Sequence, residues 1–293
     1  SGMINLVVVT IGDHWTGHDR TRMIGSNAAA LTLGLAVVPL VSGLITQAAG
    51  WRWALGVYAL ALITAALVAA TMENFRPRQA PHLRAQASAA GTVLRTPVMS
   101  STLVAGTLVF MLVFGVFLAS LPLHLENEFG LSAGWRGVII ALPAVSSGLV
   151  SSNLGRLRRS LGLRPMLVGS AFLFVVAFSL LGLSSVLAVA MVGSLVYGMG
   201  EGAMIPTLQD VAVAVTPDQT RGAVLAVWVG FARLGQTAGP LVASPLIAAT
   251  DAGTTIALGA LVALVLVLLQ LFGPLDDGNV EATAVALGDG AKT

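Results

Sequence analysis

From Pro165 to Gly200, 36 consecutive residues carry no charge. About 20 apolar residues of helix cross the hydrocarbon core of a bilayer, so this run is too long for one span and too apolar for a soluble surface. Leu181-Gly182-Leu183-Ser184-Ser185, near its middle, reads as a hairpin turn. The run therefore supplies one span and opens the next, which continues to about Gln209. Other runs of the same kind are Met23 to Trp51, Trp53 to Met72, Thr96 to Leu125, Gly137 to Gly155, Gly222 to Thr250 and Ala252 to Pro274. Ser1 to Gly12 is apolar but covers only about 18 Å at ~1.5 Å per residue. It reads as the second half of a helix, and lacks the basic start of a signal peptide. The expected fold is all-α: a polytopic membrane helix bundle of about eight full transmembrane helices plus a partial first one.

Composition agrees. The chain is 56% hydrophobic and 10% charged, against about 25% charged in a soluble domain. A net charge of +2 gives no reason to expect a nucleic-acid partner. There is no cysteine, which excludes disulfides and thiolate metal sites. Nothing matches HExxH, GxSxG or a P-loop, so no enzyme activity, metal or cofactor is expected. His14 and His18, spaced i,i+4 beside Asp13, fall in a short loop and read as solvated. His124 with Glu126 and Glu128 reads the same way.

The loops orient the bundle. Alternating from the loop at Asp13 to Arg22, one side receives Arg20, Arg22, Arg76, Arg78, Arg84, Arg95, Arg156, Arg158, Arg159, Arg164, Arg221 and Lys292. The other receives Arg52 and Arg136. The positive-inside rule makes the arginine-rich side cytoplasmic. The expected location is the inner (plasma) membrane, with the C-terminus in the cytoplasm.

Two ionisable residues lie deep inside spans. Glu201 is nine residues from Asp210, about 14 Å in, and Arg233 lies twelve residues from Arg221, about 18 Å in, at ~1.5 Å each. Charge at that depth is costly and marks function by default. A proton-coupling carboxylate and a mutually neutralising Glu201–Arg233 pair both remain open. Gly198, Gly200 and Gly202, like Gly235 and Gly239, have spacings that permit close helix approach. Pro39, Pro143, Pro206 and Pro240 lie inside spans and should bend them.

The chain also repeats itself. Asp19, Thr21 and Arg22 match Asp218, Thr220 and Arg221, and Gly34 and Pro39 match Gly235 and Pro240 after a two-residue shift. Both copies open on the arginine-rich side, so the repeat is parallel. On these residues the sequence resembles the major facilitator superfamily. Gly34 to Gly43, G-L-A-V-V-P-L-V-S-G, is similar to the helix-five motif of its drug and proton antiporters, G-x-x-x-G-P-x-x-G-G. Gly34, Pro39 and Gly43 match, while Val38 and Ser42 stand where the motif has glycine. Gly155 to Pro165 resembles the family's loop motif, G-x-L-x-D-R-x-G-R-R, through Gly155, Leu157, Gly162 and Arg164. Arg159 stands at the motif's Asp.

The resemblance implies a chain running from mid-helix four to helix twelve. Residues 1–72 would be the rest of an N-terminal half and 73–98 a cytoplasmic loop between halves. Residues 99–274 would be a six-helix C-terminal half, and 275–293 a disordered tail. It implies proton-coupled efflux of a small organic solute by a monomer in a lipid bilayer, through alternating access. A facilitator or uptake permease, and a non-transporting membrane scaffold or sensor, are the alternatives. Glu201 and Arg233 would couple protons and substrate. Asn27, Gln47, Tyr197, Trp228 and Gln236 are candidates to line the cavity, with helix-to-helix hydrogen bonding or interface anchoring as the commoner role of such residues. Gly34, Pro39, Gly43, Gly235, Gly239 and Pro240 would pack helices.

Overall fold

The structure, a computed structural model, describes residues 2–71 and 83–289. All regular structure among them is helical. The order is α1 (Gly2–His14), α2 (Gly17–Ala49), α3 (Trp51–Ala54), a 3₁₀ turn (Leu55–Ala59), α4 (Leu60–Thr71), α5 (Leu83–Leu94), α6 (Pro97–Met111), a π-helical segment (Leu112–Ser120) and α7 (Leu121–Phe129). There follow α8 (Ala133–Ser152), α9 (Leu154–Leu161), α10 (Leu163–Leu183), α11 (Leu187–Ala214), α12 (Arg221–Ala249), α13 (Ala252–Phe272) and α14 (Asp277–Asp289). Counting α3 with α4, and α6 with α7, eight long helical stretches follow the short α1, as the apolar runs require. Five stretches among the described residues are long and apolar enough to cross a membrane on length and composition alone.

Local chemistry sets the boundaries. Thr96 caps α6 by accepting the Met99 amide at 3.3 Å, with Pro97 in the first turn where its missing N–H costs nothing. Asp251 caps α13 through the Thr254 amide at 2.8 Å. Gly130 ends α7 at φ 61°, a conformation open to glycine. Pro122 has no amide for the carbonyl of Leu118, and the chain widens into the π turn immediately upstream of it.

Small residues govern the packing. α10 lies between α11 and α13, α11 lies on α8, and α12 lies on α6 and the π segment. A Cβ on Gly202 would sit 2.7 Å from the Ser147 Cα, so α11 and α8 touch nearly backbone to backbone. The same holds for Gly239, whose Cβ would meet the Met111 carbonyl oxygen at 2.6 Å and the Gly115 amide at 2.7 Å. Gly235 fits against the Thr107 carbonyl. Gly34, the counterpart of Gly235 in the first copy, has nothing within 4 Å. The side chains of Pro39, Gly43 and Gln47 lie outside the described residues.

Two expectations are corrected. Within residues 73–98, expected to be a loop, Leu83–Leu94 forms a helix, α5; Arg76 and Arg78 lie outside the described residues. The acidic tail is ordered over most of its length. Leu275 is fully buried, α14 spans Asp277–Asp289, and Val280 and Leu287 pack on the core. Its acids are counterions: Asp276 accepts from Arg164 at 2.8 Å and Asp277 from Arg158 at 2.6 Å. Residues 290–293 lie outside the described part.

The glycine contrast is measurable. Gly239→Ala places a methyl group against fixed backbone and is expected to cost about 1–3 kcal/mol, as overpacking does. Gly34→Ala meets open space in this chain and is expected to leave the unfolding midpoint in detergent unchanged or slightly raised.

Candidate functional site

The most constrained polar cluster joins the two copies of the repeat. Asp210, near the end of α11, is 4% exposed. Arg20 of α2 donates through Nε to its Oδ1 at 2.7 Å, and Thr21 donates its hydroxyl to Oδ2 at 2.7 Å. In the opposite direction, Arg221 at the start of α12 pairs with Asp13 at the end of α1 and with Asp218. Each copy thus supplies the base for an acid that belongs with the other. Both pairings lie at the arginine-rich end. Gly25 fits against the Ser151 carbonyl and the Leu154 side chain, and Gly155 against the Arg22 backbone. Thr21, Ile24, Gly25 and Ala29 are buried in the early turns of α2, whereas Leu33, Val37 and Val41, further along, are exposed. At this end the contact between α2 and its neighbours is tight.

Glu201 lies on α11 one turn beyond Tyr197 and is half-buried. Among the described residues its carboxyl has no hydrogen bond or ion pair. Arg233 does not neutralise it. The guanidinium is on an exposed face of α12 and donates to Gln236 Oε1 at 2.7 Å. The expected Glu201–Arg233 pair is not formed, because similar depth on adjacent helices does not make two side chains face each other. Two of the candidate cavity residues take the packing role instead. Tyr197 is 1% exposed, stacked on Phe117 of the π segment with centroids 4.0 Å apart, and surrounded by Phe174 and Phe178. Trp228 is 3% exposed, its ring edge against Gly106. Both are large rings filling close-packed interfaces. Asn27 is half-buried without a hydrogen-bond partner among the described residues.

The loop motif is a docking element. Gly162 turns at φ 81° between α9 and α10, and a Cβ there would meet the Asp277 carboxylate at 3.2 Å. Leu157 packs with Leu154, Met166 and Ala203. Arg164 bonds the Gly273 carbonyl as well as Asp276. Partial burial works against ionisation of Asp277, but the Arg158 guanidinium and the Leu163 amide outweigh it and hold the carboxyl below its ordinary value.

This arrangement of helices has counterparts. The family model of the major facilitator superfamily matches residues 1–162 and, in a second overlapping match, residues 103–286. The chain belongs to the major facilitator superfamily. It is 24% identical over 235 residues to a "Multi-drug resistance efflux pump PmrA homolog" from Lactococcus lactis subsp. lactis (strain IL1403), a match covering 76% of this chain. The chain spans 56% of the length of that relative. Among solved structures it is similar to the human organic anion transporter MFSD10 (TETRAN), with TM-score 0.76 and 19% identity over 91% of this chain and 67% of that one. It is also similar to the proton:xylose symporter XylE, with TM-score 0.71 and 16% identity over 94% of this chain and 69% of that one. At these identities the two structures establish the fold, a polytopic helical membrane bundle.

Within this major facilitator fold, Asp13, Arg20, Thr21, Asp210 and Arg221 escaped the sequence reading as site residues. The repeat held the signal. Asp13 and Asp210 each precede a copy of the D-x-T-R element by a few residues, so a parallel duplication could have paired them crosswise.

Removing the acid from this joint strands a base. Asp210→Ala is expected to lower stability by ~2–4 kcal/mol, because it leaves the largely buried Arg20 and Thr21 without an acceptor; thermal unfolding in detergent reads this. The α14 clamp has its own pH signature. Since the native value of Asp277 is lowered, its contribution is complete above the ordinary carboxylate value of about 4. It fades as pH falls through the lower native value. Hydrogen exchange in α14 should quicken at that low pH in the native protein and lose this dependence in Asp277→Asn.

Proposed function

We propose that this chain forms the larger part of a secondary transporter that exports a small organic solute by alternating access, driven by protons. The carrying observation is the crossed pairing of Asp210 with Arg20 and Thr21, and of Arg221 with Asp13, at one end of the two copies. Ion pairs between repeats at one end are what a rocking pair of bundles needs at a closed gate. Breaking them lets that end open; re-forming them closes it. With the arginine-rich side cytoplasmic by the positive-inside rule, the conformation is closed to the cytoplasm. Residues 1–72 act as the rest of one half and 99–274 as the other.

Glu201 is the coupling group in this reading. Its carboxyl is half-buried inside α11 with no countercharge among the described residues, so taking up a proton removes an isolated charge from a poorly solvated position. Arg233 has no carboxylate partner among the described residues and lies on an exposed face of α12, suited to an anionic group on the solute. The likeness to a curated efflux pump supports the outward direction.

Glu201→Gln in the complete transporter is the direct test. Reconstituted in liposomes, it is expected to abolish accumulation driven by a pH gradient while leaving downhill solute exchange in place. Unchanged proton-driven accumulation would rule Glu201 out as the coupling residue.

A further inference from the structure

The arginine-rich end holds a cavity of about 430 Å³ lined by Arg22, Ser152, Asn153, Arg156 and Arg159. All five lining residues are exposed, three of them are arginines, and none is acidic. None of the three arginines has an ion-pair partner among the described residues; Arg156 makes only a 3.3 Å hydrogen bond to Asn153. Arginine elsewhere on the same segment is treated differently. Arg158 is paired with Asp277 and Arg164 with Asp276. The repeat supplies a second contrast, since Arg221, the counterpart of Arg22, has both Asp13 and Asp218. Among the described residues at this end, Arg20, Arg158, Arg164 and Arg221 each have an acid partner, and the three arginines around this cavity have none.

We infer that the cavity is a binding site for a phosphate-bearing anion, held by Arg22 of α2 from one side and by Arg156 and Arg159 of α9 from the other. Solvent screens much of the repulsion among three exposed like charges, and a bound anion relieves the rest. Guanidinium forks match phosphate oxygens two at a time, which favours phosphate over a simple halide. The position fits as well. The cavity opens at the ends of α2 and α8, where long apolar helices leave the hydrocarbon, and basic pockets between helices at that depth receive anionic lipid headgroups. The phosphate can thus arrive on an anionic phospholipid or on a soluble compound. Arg159 is the residue particular to this chain, because the loop motif it resembles has an acid there. Here the anion comes from outside the protein. A bound anion also ties α2 to α9, beside the Asp210 joint, and so favours the closed arginine-rich end.

The test uses the purified chain in dodecyl maltoside, with unfolding followed by tryptophan fluorescence. Added phosphatidylglycerol is expected to raise the midpoint by roughly 3–8 °C, and phosphatidylcholine by much less. An equal rise with inorganic phosphate identifies a soluble phosphate compound as the source; a rise with phosphatidylglycerol alone identifies the headgroup. Arg22→Gln should lose the response. Arg159→Asp builds an acid into the cavity, so it should raise the midpoint without ligand and also abolish the response, which separates loss of the site from loss of the fold. Arg95→Gln, an exposed arginine outside the cavity, should respond as the native protein does. The proposal is overturned if neither probe moves the native midpoint, if Arg159→Asp still responds fully, or if Arg95→Gln loses the response equally.

Discussion

A carboxylate shut away from water has to be answered by a cation or a donor, and Asp210 is answered by Arg20 and Thr21 from the other copy of the repeat. Much else follows from that one requirement. To meet it, the first turns of α2 must come down onto α11 and α8, which only small residues permit, and Gly25 lies where they touch. That approach brings Arg22 against Gly155 and fixes α9 beside α2. The end of α1 is drawn in by the mirrored debt of Arg221 to Asp13. Further along α2, Leu33, Val37 and Val41 are exposed.

The spans were legible because their cause is local. A backbone in hydrocarbon must satisfy its own hydrogen bonds, so long uncharged runs are helices. The turn read at Leu181 to Ser185 is where α10 ends, and three residues separate it from the start of α11. Glycine spacing gave the close contacts of Gly202, Gly235 and Gly239 for the same reason: what they require, a missing side chain, is visible one residue at a time.

Partnership was not legible, because charge and depth do not carry direction. Glu201 and Arg233 sit at similar depths on consecutive helices, yet Arg233 turns to Gln236. Tyr197 and Trp228 look like aromatic walls of a cavity, but their bulk fills helix interfaces. The tail is the sharpest case. Small residues and acids describe a disordered segment until Arg158 and Arg164 are known to need Asp277 and Asp276. The sequence displays each charge and is silent about which opposite charge the fold brings to it.

The crossed pairing at the joint has a consequence for descent. In a duplicated protein each copy is usually free to drift once the other retains the needed residue. Here the acid near one copy and the base within the other are halves of a single contact, made twice in opposite directions. Loss of Asp210 orphans Arg20, and loss of Asp13 leaves Arg221 only the exposed Asp218. Neither copy can decay alone, so the symmetry inherited from duplication is protected by the contacts it created, and charge changes at this joint should arise as compensated pairs across the two copies.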